Sequence, residues 1–296
     1  MASRLCDLVD QYELSREISR EYAYQIRYAV GRFGRWLRRD PVAEDLSPDT
    51  VNAWLMFERD AGEIADRSRA NVRRSILTLW KRCGPPLDRE RIRSVVVTPR
   101  NPEAWHFDEL AAVADAAGRL GGELLNGVPR GLYFRACLWF AYETGLRRRD
   151  CWRFDFRAFG DDRRATITQH KTRRVHVVQI TAETMRDVEE IRAILRRRRD
   201  RAADFALRWP QCVTTFYYWM RAARVAAGVD PFVGNRSLQH VRRTGATEVA
   251  REGGAAWRFL GHTREGLDRI SYVDAGKTSS PNMPQRTRTN EQPRSA

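Results

Sequence analysis

Cysteine is scarce in this sequence, and none of it is paired. The 296 residues include 5 cysteines, Cys6, Cys83, Cys137, Cys151 and Cys212, with no Cys-x-x-Cys spacing. That argues against the common zinc and disulfide frameworks. Long apolar runs are lacking too. The longest, Ala136–Tyr142, falls far short of the roughly 20 residues that span a bilayer. Met1 to Glu13 contain no hydrophobic signal segment, so the expectation is a reduced, cytoplasmic protein with no membrane partner. Acidic residues are outnumbered, 38 against 53 basic ones, for a formal net charge of +15. An excess of that sign and size predicts an anionic partner, and double-stranded nucleic acid fits best. A membrane surface fits less well, because the charge is spread along the chain and not gathered on one amphipathic helix.

What is present organises into two modest domains, and 42% hydrophobic residues suffice for real cores. Residues 1–83 read as a helical domain. Ile18, Tyr22, Ile26, Ala29, Phe33 and Leu37 fall at helical spacing, with Arg20, Arg27 and Arg35 among the remaining positions. Ser47-Pro48-Asp49 is a helix start with an N-cap, a first-turn proline and an acid at the positive end. Val51, Trp54, Leu55 and Glu58 continue that helix, and Val72, Ile76, Leu79 and Trp80 mark another. It ends at Gly84-Pro85-Pro86. Residues 84–104, rich in proline, read as a linker, and 105–275 as a second, mostly helical domain. Within it, Ala165–Thr168 and Val175–Ile180 are β-branched segments around a polar turn, predicting a small antiparallel hairpin. Helices are expected over 182–199, 214–227 and 238–251. Residues 276–296, rich in Pro, Ser, Thr, Asn and Arg, read as a disordered tail.

The chemistry lies in the second domain. Metal-free transfer of a phosphodiester needs fixed cations for the non-bridging oxygens, a nucleophile for phosphorus and a donor for the departing oxygen. Guanidinium groups placed in advance for the developing charge are often the largest single contribution. The sequence supplies, in order, Arg147 after the turn Thr144-Gly145-Leu146; Lys171 at the tip of the hairpin; Arg242 in Gln239-His240-Val241-Arg242-Arg243-Thr244-Gly245-Ala246-Thr247; His262 in Leu260-Gly261-His262; and Tyr272. Taken singly, each has an ordinary alternative as a solvated turn charge or a packed aromatic.

In this order and spacing the five resemble the tyrosine recombinase (phage integrase) family. The resemblance extends to the N-terminal helices, through Arg16-Glu17-Ile18-Ser19, Leu46-Ser47-Pro48 and the helix ending at Trp80, which look like the family's core-binding domain. It implies a mainly α fold, with a helical core-binding domain and a catalytic domain carrying a small antiparallel sheet. It also implies a site-specific recombinase working through a 3′-phosphotyrosyl link without metal or ATP, as a homotetramer on paired DNA sites. Carried over to this chain, Arg147 and Arg242 bind the phosphate and Asp150 braces the site. Lys171 protonates the 5′-oxygen, His262 hydrogen-bonds the scissile phosphate, and Tyr272 is the nucleophile. Arg173, Arg174, Arg243 and Arg27 are candidate DNA contacts, together with Tyr24. The resemblance begins almost at Met1, so the expectation is a two-domain enzyme without an added arm-type DNA-binding domain.

Two departures stand out. Gln239 occupies the family's usual histidine position, and a carboxamide binds phosphate but exchanges no proton. His240 lies one residue later, about 100° around a helix. The His262–Tyr272 spacing is also one residue longer than usual. Three other readings therefore stay open: a DNA-binding protein of this fold with reduced or lost catalysis, a topoisomerase-like relaxing enzyme, and a helix-turn-helix regulator built on residues 214–250. The target site, the accessory proteins, and service to a mobile element or to chromosome resolution are also open.

Overall fold

A computed structural model describes residues 3–15, 17–83, 86–98, 103–229, 237–262 and 273. Tyr272, the tail 276–296 and parts of the 84–104 segment lie outside the described residues. The chain divides into two compact units, Met1–Pro99 and Arg100–Ala296. Among the described residues there are eleven α-helices and a single two-stranded sheet, the mainly α architecture that the sequence implies. No described helix is long and apolar enough to cross a membrane.

The first unit contains α1 (Leu5–Leu14), α2 (Arg20–Leu37), α3 (Pro48–Ala61) and α4 (Asp66–Cys83). The apolar stripe of α2 faces inward as its spacing predicts. Ile26, Ala29 and Phe33 are buried among Val9, Trp54, Ile76 and Trp80, while Ile18, Tyr22 and Leu37 pack at the edge. Tyr22 Oη also hydrogen-bonds Thr78 Oγ1 at 2.9 Å. Ser47 caps α3 by accepting from the Thr50 backbone N–H at 3.2 Å, with Pro48 in the first turn. One feature of this core is polar. Arg32 is buried and grips Glu58 in a bidentate pair, Nε–Oε1 at 2.9 Å and Nη2–Oε2 at 2.7 Å. Trp54 Nε1 donates to the same carboxylate at 3.2 Å.

The second unit is built around α6 (Arg130–Thr144), which is buried on all sides except at Arg130 and Arg135. A helix that is apolar all round belongs in the middle of a core. Around it pack α5 (Phe107–Gly118), α8 (Ala182–Arg197) and α10 (Ser237–Arg251), with α9 (Val213–Ala226) against α5. The close approach of α10 to α6 depends on Gly245, where a Cβ would lie 2.6 Å from the Tyr142 carbonyl oxygen. α6 ends at Gly145 in the left-handed conformation, φ 59°. The short α7 (Arg148–Trp152) follows, then the hairpin of β1 (Arg164–Thr168) and β2 (Val175–Gln179), and near the end α11 (Ala256–Phe259). The strands pair antiparallel, with Ala165 opposite Val178 and Ile167 opposite His176.

Candidate active site

Arg147 stands at the corner between α6 and α7. Gly145 turns the chain with a positive φ that an L side chain rarely adopts, and Arg147 is the N-cap residue of α7. Its neighbour Arg148 lies over the rings of Trp152 and Tyr217, 4.8 and 5.4 Å from the centroids. Arg147 instead turns to the hairpin and donates from Nη1 to Gln169 Oε1 at 2.7 Å.

Gln169 is completely buried. Its Oε1 also accepts from Thr172 Oγ1 at 3.0 Å, and its Nε2 donates to the Leu260 carbonyl at 3.2 Å. The second arginine of the site meets that carbonyl too. Arg242, buried on α10, donates from Nη2 to Leu260 O at 3.1 Å and from Nη1 to the Gly145 carbonyl. A continuous set of hydrogen bonds thus runs from Arg147 through Gln169 and Leu260 O to Arg242, and back to the turn that carries Arg147.

The hairpin tip is fixed by α7. Asp150 is buried, and its Oδ1 accepts the His170 backbone N–H at 2.8 Å. Gln169 N donates to Arg174 O and Arg173 N to Gln169 O, closing the turn with Arg173 at φ 55°. Lys171 sits exposed on this tip, flanked by exposed Arg173 and Arg174. The composition makes Lys171 more telling than a hairpin-tip lysine usually is. The chain has three lysines, Lys81, Lys171 and Lys277, among 53 basic residues. A lysine placed where arginine is otherwise the rule keeps a cation that can give up a proton, which a guanidinium cannot.

His262 follows α11 and lines a cleft of about 520 Å³ with Arg174, Val175, His176, Trp257, Arg258 and Gly261. Gly261 has φ 64°, and a Cβ there would lie 2.4 Å from Gln169 Nε2, so the close approach of this turn to the hairpin requires glycine. On α10 Gln239 and His240 separate by face. Gln239 is exposed, whereas His240 is buried and stacks on Trp105 with ring centroids 5.9 Å apart. Arg243 is half-buried on the same helix. Tyr272 lies outside the described residues. In the first unit, Arg27 binds Asp10 at 2.6 Å and Glu13 at 2.5 Å, so its guanidinium already has carboxylate partners. Tyr24 is largely exposed.

Sequence reasoning missed Gln169 and His176 as members of this cluster. Gln169 read as part of a polar turn, and His176 as one residue of a β-branched strand. The signal for His176 was the alternation itself, which places it on the inward face with Val178 while Val175 and Val177 are exposed. Burial pushes the His176 imidazole below its ordinary value of 6.5. Arg242 and Arg147 act in the same direction, against a hydrogen bond to the Thr144 backbone and the charge of Asp150. Among the described residues no group of three or more His, Cys, Asp or Glu side chains is arranged to hold a metal ion.

The fold has solved counterparts. The crystal structure of a lambda integrase (75–356) dimer bound to a COC′ core site matches with a TM-score of 0.66. That match has 17% identity and covers 94% of this chain and 99% of that one. XerH site-specific recombinase bound to difH in a pre-cleavage complex matches with a TM-score of 0.64 and 12% identity, over 91% of this chain and 82% of that one. The chain has the tyrosine-recombinase fold. The integrase of the Tn1549 transposon (aa 82–397), in complex with circular intermediate DNA, shares that tyrosine-recombinase fold. Its TM-score is 0.57 and its identity 11%, over 95% of this chain and 97% of that one. No family model and no curated protein matches the sequence.

Proposed function

We propose that this chain is a site-specific DNA recombinase that cuts and rejoins duplex DNA through a 3′-phosphotyrosyl intermediate on Tyr272. The observation that carries the reading is the pairing of Arg147 and Arg242 through Gln169 and the Leu260 carbonyl. Two guanidiniums fixed before substrate arrives suit the charge that develops on a phosphate under attack. Lys171, on a tip held by Asp150, supplies the proton for the 5′-oxygen, and His262 hydrogen-bonds the phosphate. Arg173, Arg174 and Arg243 bind flanking phosphates, and a formal net charge of +15 favours DNA throughout. The first unit adds DNA contacts of its own, and active assemblies are tetramers on paired sites. The energy of the broken bond stays in the tyrosyl link, so the chemistry calls for neither ATP nor a metal.

The test uses the full chain and a pool of nicked duplexes of randomised sequence, because the target site is open. Wild type is expected to form a protein–DNA adduct that survives SDS, and Tyr272→Phe to form none. If wild type binds the pool but yields no adduct that Tyr272→Phe lacks, the chain is a DNA-binding protein of this fold. The exposed Gln239, which cannot exchange a proton, is the feature favouring that second reading.

A further inference from the structure

Three arginines stand in a row at Arg147, Arg148 and Arg149, and beside a phosphate site each would ordinarily count as a phosphate ligand. The middle one is committed elsewhere. The half-buried Arg148 guanidinium lies over the Trp152 ring, 4.8 Å from its centroid, and over the Tyr217 ring at 5.4 Å. It also donates from Nη1 to Tyr217 Oη. Trp152 belongs to α7 and Tyr217 to α9, so Arg148 fastens one helix to the other. Both rings pack against the core of the second unit, where Trp152 meets Phe216 edge-on with centroids 5.3 Å apart.

The fastening matters because of what α7 carries. Arg147 is its N-cap and reaches Gln169, while Asp150 holds the His170 amide. Both arms to the hairpin therefore start from one helix of five residues. So short a helix is not held by its own hydrogen bonds, and side chains must fix its place. Cys151 does so by burial, and Arg148 by its link to α9. Adjacent Cα atoms are about 3.8 Å apart, so a shift at Arg148 passes directly to Arg147.

We propose that Arg148 is a positioning residue for strand cleavage, pinning α7 to α9 and so setting the reach of Arg147 and Asp150 to the hairpin. The inference rests on the strand-cleavage reading above. The pin calls for arginine in particular. A planar cation stacks on a ring face while its N–H groups bond outward in the same plane, and an ammonium brings the charge without the plane. A lysine at this position keeps the electrostatics and loses the pin. That sets Arg148 apart from Arg173 and Arg174, whose exposed side chains suit direct phosphate contacts.

The experiment uses a duplex selected from the randomised pool. It measures the single-turnover rate of adduct formation with saturating protein, and DNA affinity across a salt series. Wild type, Arg148→Lys, Arg148→Met, Tyr217→Phe and the double variant Arg148→Met/Tyr217→Phe are compared, with Tyr272→Phe as the inactive control. Arg148→Lys and Arg148→Met are expected to lose on the order of 10- to 100-fold in saturated rate, the scale of an ångström-sized misplacement of a catalytic group. Their affinity and salt slope should match wild type. The double variant should be no slower than Arg148→Met, because the two residues act through one contact.

A wild-type saturated rate in Arg148→Lys and Arg148→Met overturns the inference, as do losses that add in full in the double variant. Weaker binding with a salt slope lowered by about one, at an unchanged saturated rate, also overturns it, because that marks a direct phosphate contact. If Arg148→Met fails to fold, Arg148→Lys decides: a slower saturated rate at wild-type affinity upholds the pin, and a wild-type rate overturns it. If wild type itself forms no adduct, the cleavage reading fails and the inference falls with it. A loss confined to the Arg148 and Tyr217 variants leaves that reading intact.

Discussion

Arg147 and Arg242 are joined by a single carboxamide and a single carbonyl. Gln169 accepts from Arg147 and donates to Leu260 O, and Arg242 donates to that same oxygen. The separation of two charges that repel each other is thus set by neutral groups from the hairpin and from the turn before His262. A site of this kind is organised before substrate arrives.

Gln169→Leu keeps the volume but removes the bonds to Arg147 and Leu260, and the one from Thr172 as well. Adduct formation is expected to fall about 100-fold, the scale associated with an ångström-sized misplacement of a catalytic group. DNA affinity should change little, since flanking contacts carry most of it. Single-turnover rates with parallel binding isotherms check this, and a wild-type rate in Gln169→Leu means that Arg147 needs no support.

Asp150→Ala removes the acceptor that holds the His170 amide. The expected outcome is faster amide hydrogen exchange at residues 169–173 and a lower cleavage rate, with α6 and α10 still protected. Loss of a hydrogen bond to a carboxylate costs roughly 1.5–3 kcal/mol, enough to loosen the tip without unfolding the domain.

Glu58→Ala strips the buried Arg32 of its main carboxylate, leaving Glu63 at 2.9 Å as a mostly exposed partner. Removing one member of a buried pair costs roughly 3–5 kcal/mol. Urea unfolding followed by tryptophan fluorescence should show that loss, and a change below about 1 kcal/mol would mean that the pair contributes little.

Stability should also depend on pH through His176. In the unfolded chain its imidazole titrates near 6.5, and in the folded protein below that value. Between the two the unfolded state binds more protons, so this contribution to stability is present above 6.5 and is lost as pH falls toward the folded value. His176→Asn should flatten that part of the curve of unfolding free energy against pH, and an unchanged slope contradicts the assignment.

Much of this was legible in the sequence. The α2 stripe, the Ser47 cap and the hairpin followed from periodicity and turn chemistry, because one buried face or one cap decides each of them locally. The order Arg147, Lys171, Arg242, His262 and Tyr272 was legible as a pattern. The buried role of Arg32 was not, since a charge on an Arg-rich helix looks like a solvated one until Glu58 arrives from α3. Gln169 and His176 were hidden for a similar reason. Their importance comes from residues 260 and 261, far along the chain, which only the packed structure brings to the hairpin.

The central claim is tested most directly by digesting the SDS-resistant adduct and identifying the peptide that carries DNA by mass spectrometry. The account predicts a 3′-linked nucleotide on Tyr272, with no adduct from Tyr272→Phe. An adduct mapped to another residue, or one that persists in Tyr272→Phe, would contradict it.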